Sequence, residues 1–411
     1  MPSRSPLPPK GHAAVFPVPR TARIAAAVAA GLAGLALAGP ALASDSNGFG
    51  PVSGQLQVQQ ILSGKALQHT YSLPGSTTSA TEPLTNPDDI AAMGHLLFVS
   101  FQNGVGAQGE PSSDGNTSST VVEFTADGTV LGQWDLLGKC DGLTAYPQRG
   151  EVIATVNEDN NSSIYTISPF APSSDQVQHY AYNETLSHLG GTDAISIYRG
   201  QVLVSASAPG TAGTPVTSPA VYSVTFDPTT LVATVTPVFN DTDNATVANV
   251  GSSFGQVVAL GLTDPDSSEV VPYLAPRFGG SFMLDSQGDD QQIFLRQAAG
   301  DDQGSASSPS LSVLSLNTSV DDSAWVTSFS GALFGADSSS DTVDIVTGPF
   351  RPGSMFVAAT PCNDNLAPAT CPAAGFPANF LGLENMWTGA ISTVTLTGPT
   401  FHPHSLIFVR G

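Results

Sequence analysis

Four aspartates in this sequence stand in the same local setting, and acidic side chains that recur in register are its best candidates for chemistry. Asp88 lies in Pro87-Asp88-Asp89-Ile90, Asp141 in Cys140-Asp141-Gly142-Leu143, Asp193 in Thr192-Asp193-Ala194-Ile195, and Asp344 in Val343-Asp344-Ile345-Val346. Each opens a short apolar segment of β character. Carboxylates at equivalent places of a repeated unit face one another, and they repel unless a cation or a proton lies between them. Oxygen donors of this kind suit Ca²⁺ or another hard divalent ion. The residue type has a plainer use as well. An Asp at the start of a strand accepts backbone N–H bonds in an Asx-type turn, a cap that every unit of a repeat can employ. Both readings stay open.

A second set of oxygen donors forms the polar loop Asn157-Glu158-Asp159-Asn160-Asn161, with Gln102-Asn103 at the equivalent place one unit earlier. Asn103, Asn157 and Glu158 are the candidates for ligand contacts at a binding mouth, the alternative being a solvated hairpin loop. Of 7 histidines only His402 and His404 are close together. His-x-His can hold a metal on one strand face, but their place beside the end of the chain favours a surface role. No Gly-x-Ser-x-Gly elbow, phosphate loop, dinucleotide fingerprint or zinc-type Cys/His spacing occurs.

The elements that must position these residues are short strands. After Cys140-Asp141-Gly142-Leu143 come a turn at 147–150, the strand 151–156, the polar loop and the strand 163–167. The same order follows Asp88 and Asp193, and a weaker copy begins near Asp266. A further copy is read from Asp344 through 355–357 to 390–394. Strands beside tryptophan at 127–134 and 323–326 are read as fourth strands. Four-stranded sheets repeating at intervals of 53 and 52 residues predict propeller blades arranged radially. The expected fold is all-β: a single six-bladed propeller, seven blades being the alternative. The stretches 54–73 and 404–409 are expected to supply the strands that close the ring.

On these residues the chain resembles the NHL-repeat propellers, most clearly over 85–167. Phe124-Thr125-Ala126-Asp127-Gly128, followed by Leu131 and Trp134, is similar to their unit ending. It is also similar to the gluconolactonase-type propellers, which hold a divalent metal with an Asp or Asn before Gly-Leu/Met. Cys140-Asp141-Gly142-Leu143 matches that motif and Asp193-Ala194-Ile195 matches it loosely. The resemblance implies a metal site at Asp141 and Asp193 on a channel mouth, and the repeat places Asp88 and Asp344 at the equivalent positions. The glutamate that opens those enzymes and their Arg-x-Asn have no counterpart here.

Composition narrows the partners. The chain of 411 residues carries 12 basic and 34 acidic side chains, a formal charge of −22. Residues 1–23 are basic and free of acid, 24–38 are unbroken Ala, Val, Leu, Ile and Gly, and Ala41-Leu42-Ala43 precedes Ser44-Asp45. That order predicts a secretory signal over 1–43, then a linker at 44–53 and the propeller over 54–411. Cleavage removes Arg4, Lys10, Arg20 and Arg23, leaving 8 basic and 34 acidic residues and a charge of −26. So acidic a body, with no basic stripe, excludes nucleic acid as a partner. No later segment is long and apolar enough to span a membrane. Cys362 and Cys371 are expected to form a disulfide within a Pro/Ala-rich loop, and Cys140 to be a buried thiol.

The function expected is that of a secreted or cell-envelope monomer binding a small molecule or protein. The alternative is a divalent-metal-dependent hydrolase (lactonase-like) or lyase working at the channel mouth.

Overall fold

The computed structural model describes residues 55–72, 78–186, 191–208, 217–296, 310–361 and 379–411, all within the unit Phe49–Gly411. The signal and linker segments and the Cys362–Cys371 pair lie outside these residues. Cys140 is a buried free thiol. Strands dominate, with only single-turn 3₁₀ helices between them. No helix among the described residues is long and apolar enough to cross a membrane.

Six strands among the described residues line a common axis: β1 (Pro87–Met93), β2 (Cys140–Tyr146), β3 (Thr192–Tyr198), β4 (Pro265–Val270), β5 (Val320–Trp325) and β6 (Ser405–Arg410). Each touches the next, and β6 touches β1, so the inner strands close a ring. A sheet runs outward from each. The first leaf continues through Leu96–Phe101, Ser118–Thr125 and Val130–Leu137, and the second through Glu151–Val156, Ser163–Ile167 and Val177–Tyr182. The third follows the same plan and joins the second at their outer edges through the parallel pairs Ala181/Val232 and Tyr182/Ala233. This radial arrangement is that of a β-propeller.

Strand composition follows from position. Second strands such as Leu96–Phe101 (LLFVSF) are packed on both faces and are almost continuously apolar, whereas the outer strand Val130–Leu137 alternates. The core is accordingly a set of seams between leaves. Phe98, Val121, Leu143 and Ala154 fill the seam between the first and second leaves. Phe334 and Val343 meet Leu97, Val122 and Phe124 where the last leaf packs on the first.

The closing leaf departs from the repeat. Its inner strand β6 comes from the C-terminal segment, its outer strand Leu56–Ser63 from the N-terminal part of the described chain. Its middle pair, Gly331–Asp337 and Thr342–Thr347, is a hairpin inserted between β5 and Met355–Ala359 of the fifth leaf. Both stretches expected to close the ring do so. The excursion corrects two sequence expectations. Residues 323–326 are not an outer fourth strand: 323–325 end the inner strand β5. Asp344 does not open an inner strand, because it lies in the third strand of the closing leaf, paired with Gln60 and Gly335. Val343-Asp344-Ile345-Val346 copies the local pattern of an inner strand, but chain neighbours here belong to different leaves.

Strands β1 to β5 each begin with a register shift: Pro87/Ile90, Cys140/Leu143, Thr192/Ile195, Pro265/Ser267 and Val320/Asp322. A β-bulge inserts a residue and re-aims the side chains beside it. The repeated aspartates occupy these bulges.

Candidate functional site

The bulges turn Asp88, Asp141, Asp193, Asp266 and Asp321 toward one mouth of the axis, and His404, just before β6, takes the sixth place. They line a cavity of about 760 Å³. Eleven carboxyl groups line it among the described residues, against one lysine (Lys139) and one histidine (His404).

The lysine and the histidine are already engaged. Lys139 Nζ lies 3.0 Å from Asp141 Oδ1 and in contact with Glu158 Oε1. Burial alone would lower the pKa of this ammonium, but Asp141, Glu158 and Asp88 around it hold it above its usual value. Gln102 Nε2 also donates to Asp141 Oδ1, at 3.1 Å. The other oxygen of that carboxyl, Oδ2, is buried and has no hydrogen-bond partner among the described residues. Across the mouth, His404 Nδ1 is 2.8 Å from Asp321 Oδ2, and Gln287 Nε2 donates to Asp321 Oδ1 at 3.2 Å. Burial works to raise the Asp321 pKa, yet the His404 pairing brings it below the ordinary value.

In the remaining ring carboxyls burial outweighs compensation, although Lys139 opposes it at Asp88, Asp141 and Asp193. Burial first, and then Asp321 and Asp193, push Asp266 well above the carboxylate range. Asp141 and Asp193 are raised likewise, burial leading in both. Asp88 is raised to about 7, again chiefly by burial, with Lys139 opposing. By surface area Asp88 is only half-buried, because it faces the cavity. Burial and crowding thus favour the neutral form of these carboxyls.

Two further aspartates, Asp89 and Asp322, follow ring members directly and do different work. Asp89 accepts from its neighbour Ile90 N at 2.7 Å and from Leu143 N on β2 at 2.6 Å. Asp322 accepts from Ser323 N and from Leu406 N on β6, both at 2.7 Å. In each Asp-Asp pair the first residue lines the mouth and the second caps its own bulge and ties adjacent inner strands together. Where the second position is Gly142, Thr155 substitutes: its Oγ1 accepts from Gly142 N at 3.1 Å and donates to Asp193 O at 2.6 Å. A Cβ on Gly142 would stand 2.1 Å from Asp193 O, so β2 and β3 meet this closely only with glycine there.

The sequence candidates divide accordingly. Asp88, Asp141, Asp193 and Glu158 line the cavity; Asp344, Asn103 and Asn157 are not among its lining residues. Asp344 accepts from Thr342 Oγ1 at 2.7 Å, and burial raises its pKa to about 6. Asn103 and Asn157 adopt left-handed backbone (φ 52 and 67), which asparagine tolerates, and both brace loops. Asn103 Nδ2 donates to Thr120 Oγ1 at 2.9 Å, and Asn157 Oδ1 accepts from Lys139 N at 3.0 Å. Lys139 and Asp321 were not singled out in the sequence, and His404 was noted with His402 but expected at the surface. The Val320-Asp321-Asp322 opening matched the repeat and was the available signal for Asp321. His404 lies at the cavity rather than on the outer surface.

The divalent ion implied by the family resemblance needs ligands that meet at one point. Among the described residues no three His, Cys, Asp or Glu side chains do so. The ring spreads its carboxyls around the mouth, and Lys139 and His404 already contact Asp141 and Asp321. As arranged, the mouth does not match a divalent-ion cage.

No protein-family model matches the chain, and no curated protein does. Among solved structures it is similar to a protein described as a candidate gluconolactonase, at 10% identity over 84% of this chain and 83% of that one, with a TM-score of 0.41. A candidate 6-phosphogluconolactonase from Bacteroides uniformis ATCC 8492 aligns at 10% identity over 87% and 99% of the two chains, TM-score 0.39. The WD40 β-propeller domain of Doa1 aligns at 12% identity over 82% and 90%, TM-score 0.36. Likenesses this distant carry nothing about activity, and the fold assignment rests on the strand order and ring closure above.

Proposed function

We propose that the chain is a six-bladed β-propeller serving as a binding module, whose acidic channel mouth takes a small ligand bearing positive charge. The observation that carries this reading is the imbalance at the mouth, eleven carboxyls against one lysine and one histidine. An amine entering there meets Asp88, whose carboxyl faces the cavity beside Asp141 and Asp193, and converts neutral carboxyls into ion pairs. We also propose that the module acts outside the cytoplasm, on the strength of the basic, apolar and small-residue order of 1–43.

Calorimetric titration with 1,4-diaminobutane at pH 7 tests the binding reading. Saturable binding is expected, weakened at least tenfold in the double variant Asp141→Asn/Asp193→Asn. Heats of dilution alone, or an affinity unchanged in that variant, contradict it.

A second reading, metal-independent hydrolysis at the same mouth, has one observation in its favour. Asp321 beside His404 Nδ1 fixes the tautomer that leaves Nε2 as an acceptor, 3.4 Å from the Asn379 amide nitrogen. An imidazole oriented by a carboxylate can take a proton from water attacking a lactone or ester. On this reading a lactone panel yields turnover that His404→Gln lowers about 100-fold or more in kcat with KM little changed. Turnover unaffected by that substitution removes the reading.

A further inference from the structure

The cavity does not end at the ring of aspartates. It continues along the inner strands, and its lining changes character with depth. Two residues beyond Asp88, Asp141 and Asp193 stand Ile90, Leu143 and Ile195. Two residues further stand Ala92, Ala145 and Ile197, and the same count from Asp266 on β4 ends at Val270. Past each bulge, alternate residues share a strand face. The wall is therefore layered around the axis, acidic at the mouth and then twice predominantly apolar. Four residues of strand place the last layer roughly 12 Å below the ring.

The polar groups at that depth are already served. Ser196 Oγ donates to Ser268 O at 2.9 Å and lies 3.0 Å from Ser268 Oγ. Glu269 also lines the cavity, but burial first, and then Asp322 and Asp285, hold its carboxyl well above the carboxylate range. Lys139 and His404, the basic residues of the lining, both stand at the ring. The apolar wall itself is not sealed by packing. Ala92, Ala145 and Ile197 are half-buried, and Val270 is 39% exposed. At the ring, Asp88 is half-exposed to the cavity, and the buried Asp141 keeps Oδ2 without a hydrogen-bond partner among the described residues. Ligand pockets combine such an open apolar wall with a few polar groups at one end that fix orientation.

We propose that the ligand of this cavity is an amphipathic amine, a linear alkylammonium with its charged end at Asp88 and its chain running down to Ala145 and Ile197. The inference rests on the binding reading above and narrows it from any small cation to one with a single charged end. A second ammonium at the far end of the chain would leave water beside Ala92 and Val270 without gaining a partner.

Calorimetric titration of the full chain at pH 7 with n-butylamine, n-hexylamine, n-octylamine, 1,8-diaminooctane and octan-1-ol tests this. One octylamine per chain is expected. From butylamine to octylamine, Kd should fall at least twofold per added methylene, where complete burial would give three- to fourfold. The heat-capacity change should become more negative along the series. The diamine and the alcohol should each bind at least tenfold more weakly than octylamine. Ile197→Asn should flatten the dependence on chain length; a dependence that survives it intact places the chain elsewhere and overturns the proposal. The series on the unsubstituted chain decides the matter if that variant does not fold. Equal affinity for butylamine and octylamine, or a diamine as tight as octylamine, overturns the proposal and leaves the cation-binding reading standing. Octanol as tight as octylamine, or several octylamines per chain, also overturns it. Binding of none of the amines removes both.

Discussion

The folded chain is expected to be more stable at pH 5 than at pH 8, by on the order of 5 kcal/mol. Burial lifts Asp322 to about 8, Asp88 to about 7 and Asp285 to about 6, and Asp89, Asp141, Asp193 and Asp266 also stand above the carboxylate range. In the unfolded chain such groups titrate near 4. The folded state therefore binds their protons more tightly. The stabilisation is fully present below the unfolded pKa and is lost as pH rises through the folded values. Asp321 runs the other way: its lowered pKa adds stability that disappears as pH falls. Asp127 and Asp227 share that sign, and His179, lowered by burial, opposes the trend within the interval, but the raised carboxyls are more numerous. Asp88 faces the cavity, and solvent there screens part of its share. Urea unfolding between pH 5 and 8 measures the slope. A stability flat or rising across that interval contradicts the proton-loaded mouth.

Replacing Asp322 by Ala should cost about 2–5 kcal/mol, because Ser323 N and Leu406 N both lose their acceptor. The position matters beyond the count of bonds. Leu406 belongs to β6, the C-terminal strand that completes the inner ring, so Asp322 latches the closing leaf onto the fifth. Asp322→Asn keeps one acceptor oxygen and should cost about half as much. Amide exchange at Leu406 should accelerate in Asp322→Ala more than exchange at Leu143, which Asp89 holds. Equal stability of Asp322→Ala and the unsubstituted chain would remove the latch.

Much of the ring was legible because it is periodic. Asp88, Asp141 and Asp193 recur at near-constant spacing before apolar strands, and all three line the mouth. The cap and channel readings of these aspartates also turn out to be divided between neighbours. Asp88 and Asp321 line the mouth, while Asp89 and Asp322 make the backbone bonds. Periodicity failed where the chain leaves its leaf. The hairpin at 331–347 lies between two strands of the fifth leaf yet completes the closing one, so Asp344 carries the right local pattern in the wrong place. Reading 323–326 as a fourth strand beside Trp325 hid the Val320-Asp321-Asp322 opening just before it. His404 has no repeated signature at all, since only ring closure brings β6 beside β5. Lys139, likewise, is a single lysine whose meaning depends on Asp141 and Glu158 folding around it.

On the binding reading proposed above, the mouth stores protons on crowded carboxyls and exchanges them for a cationic ligand. Titrating 1,4-diaminobutane at pH 7 in two buffers of different ionisation enthalpy tests it most directly. Observed heats should differ between the buffers by an amount corresponding to net proton release on binding. Binding with identical heats in both buffers, or with net proton uptake, would contradict it.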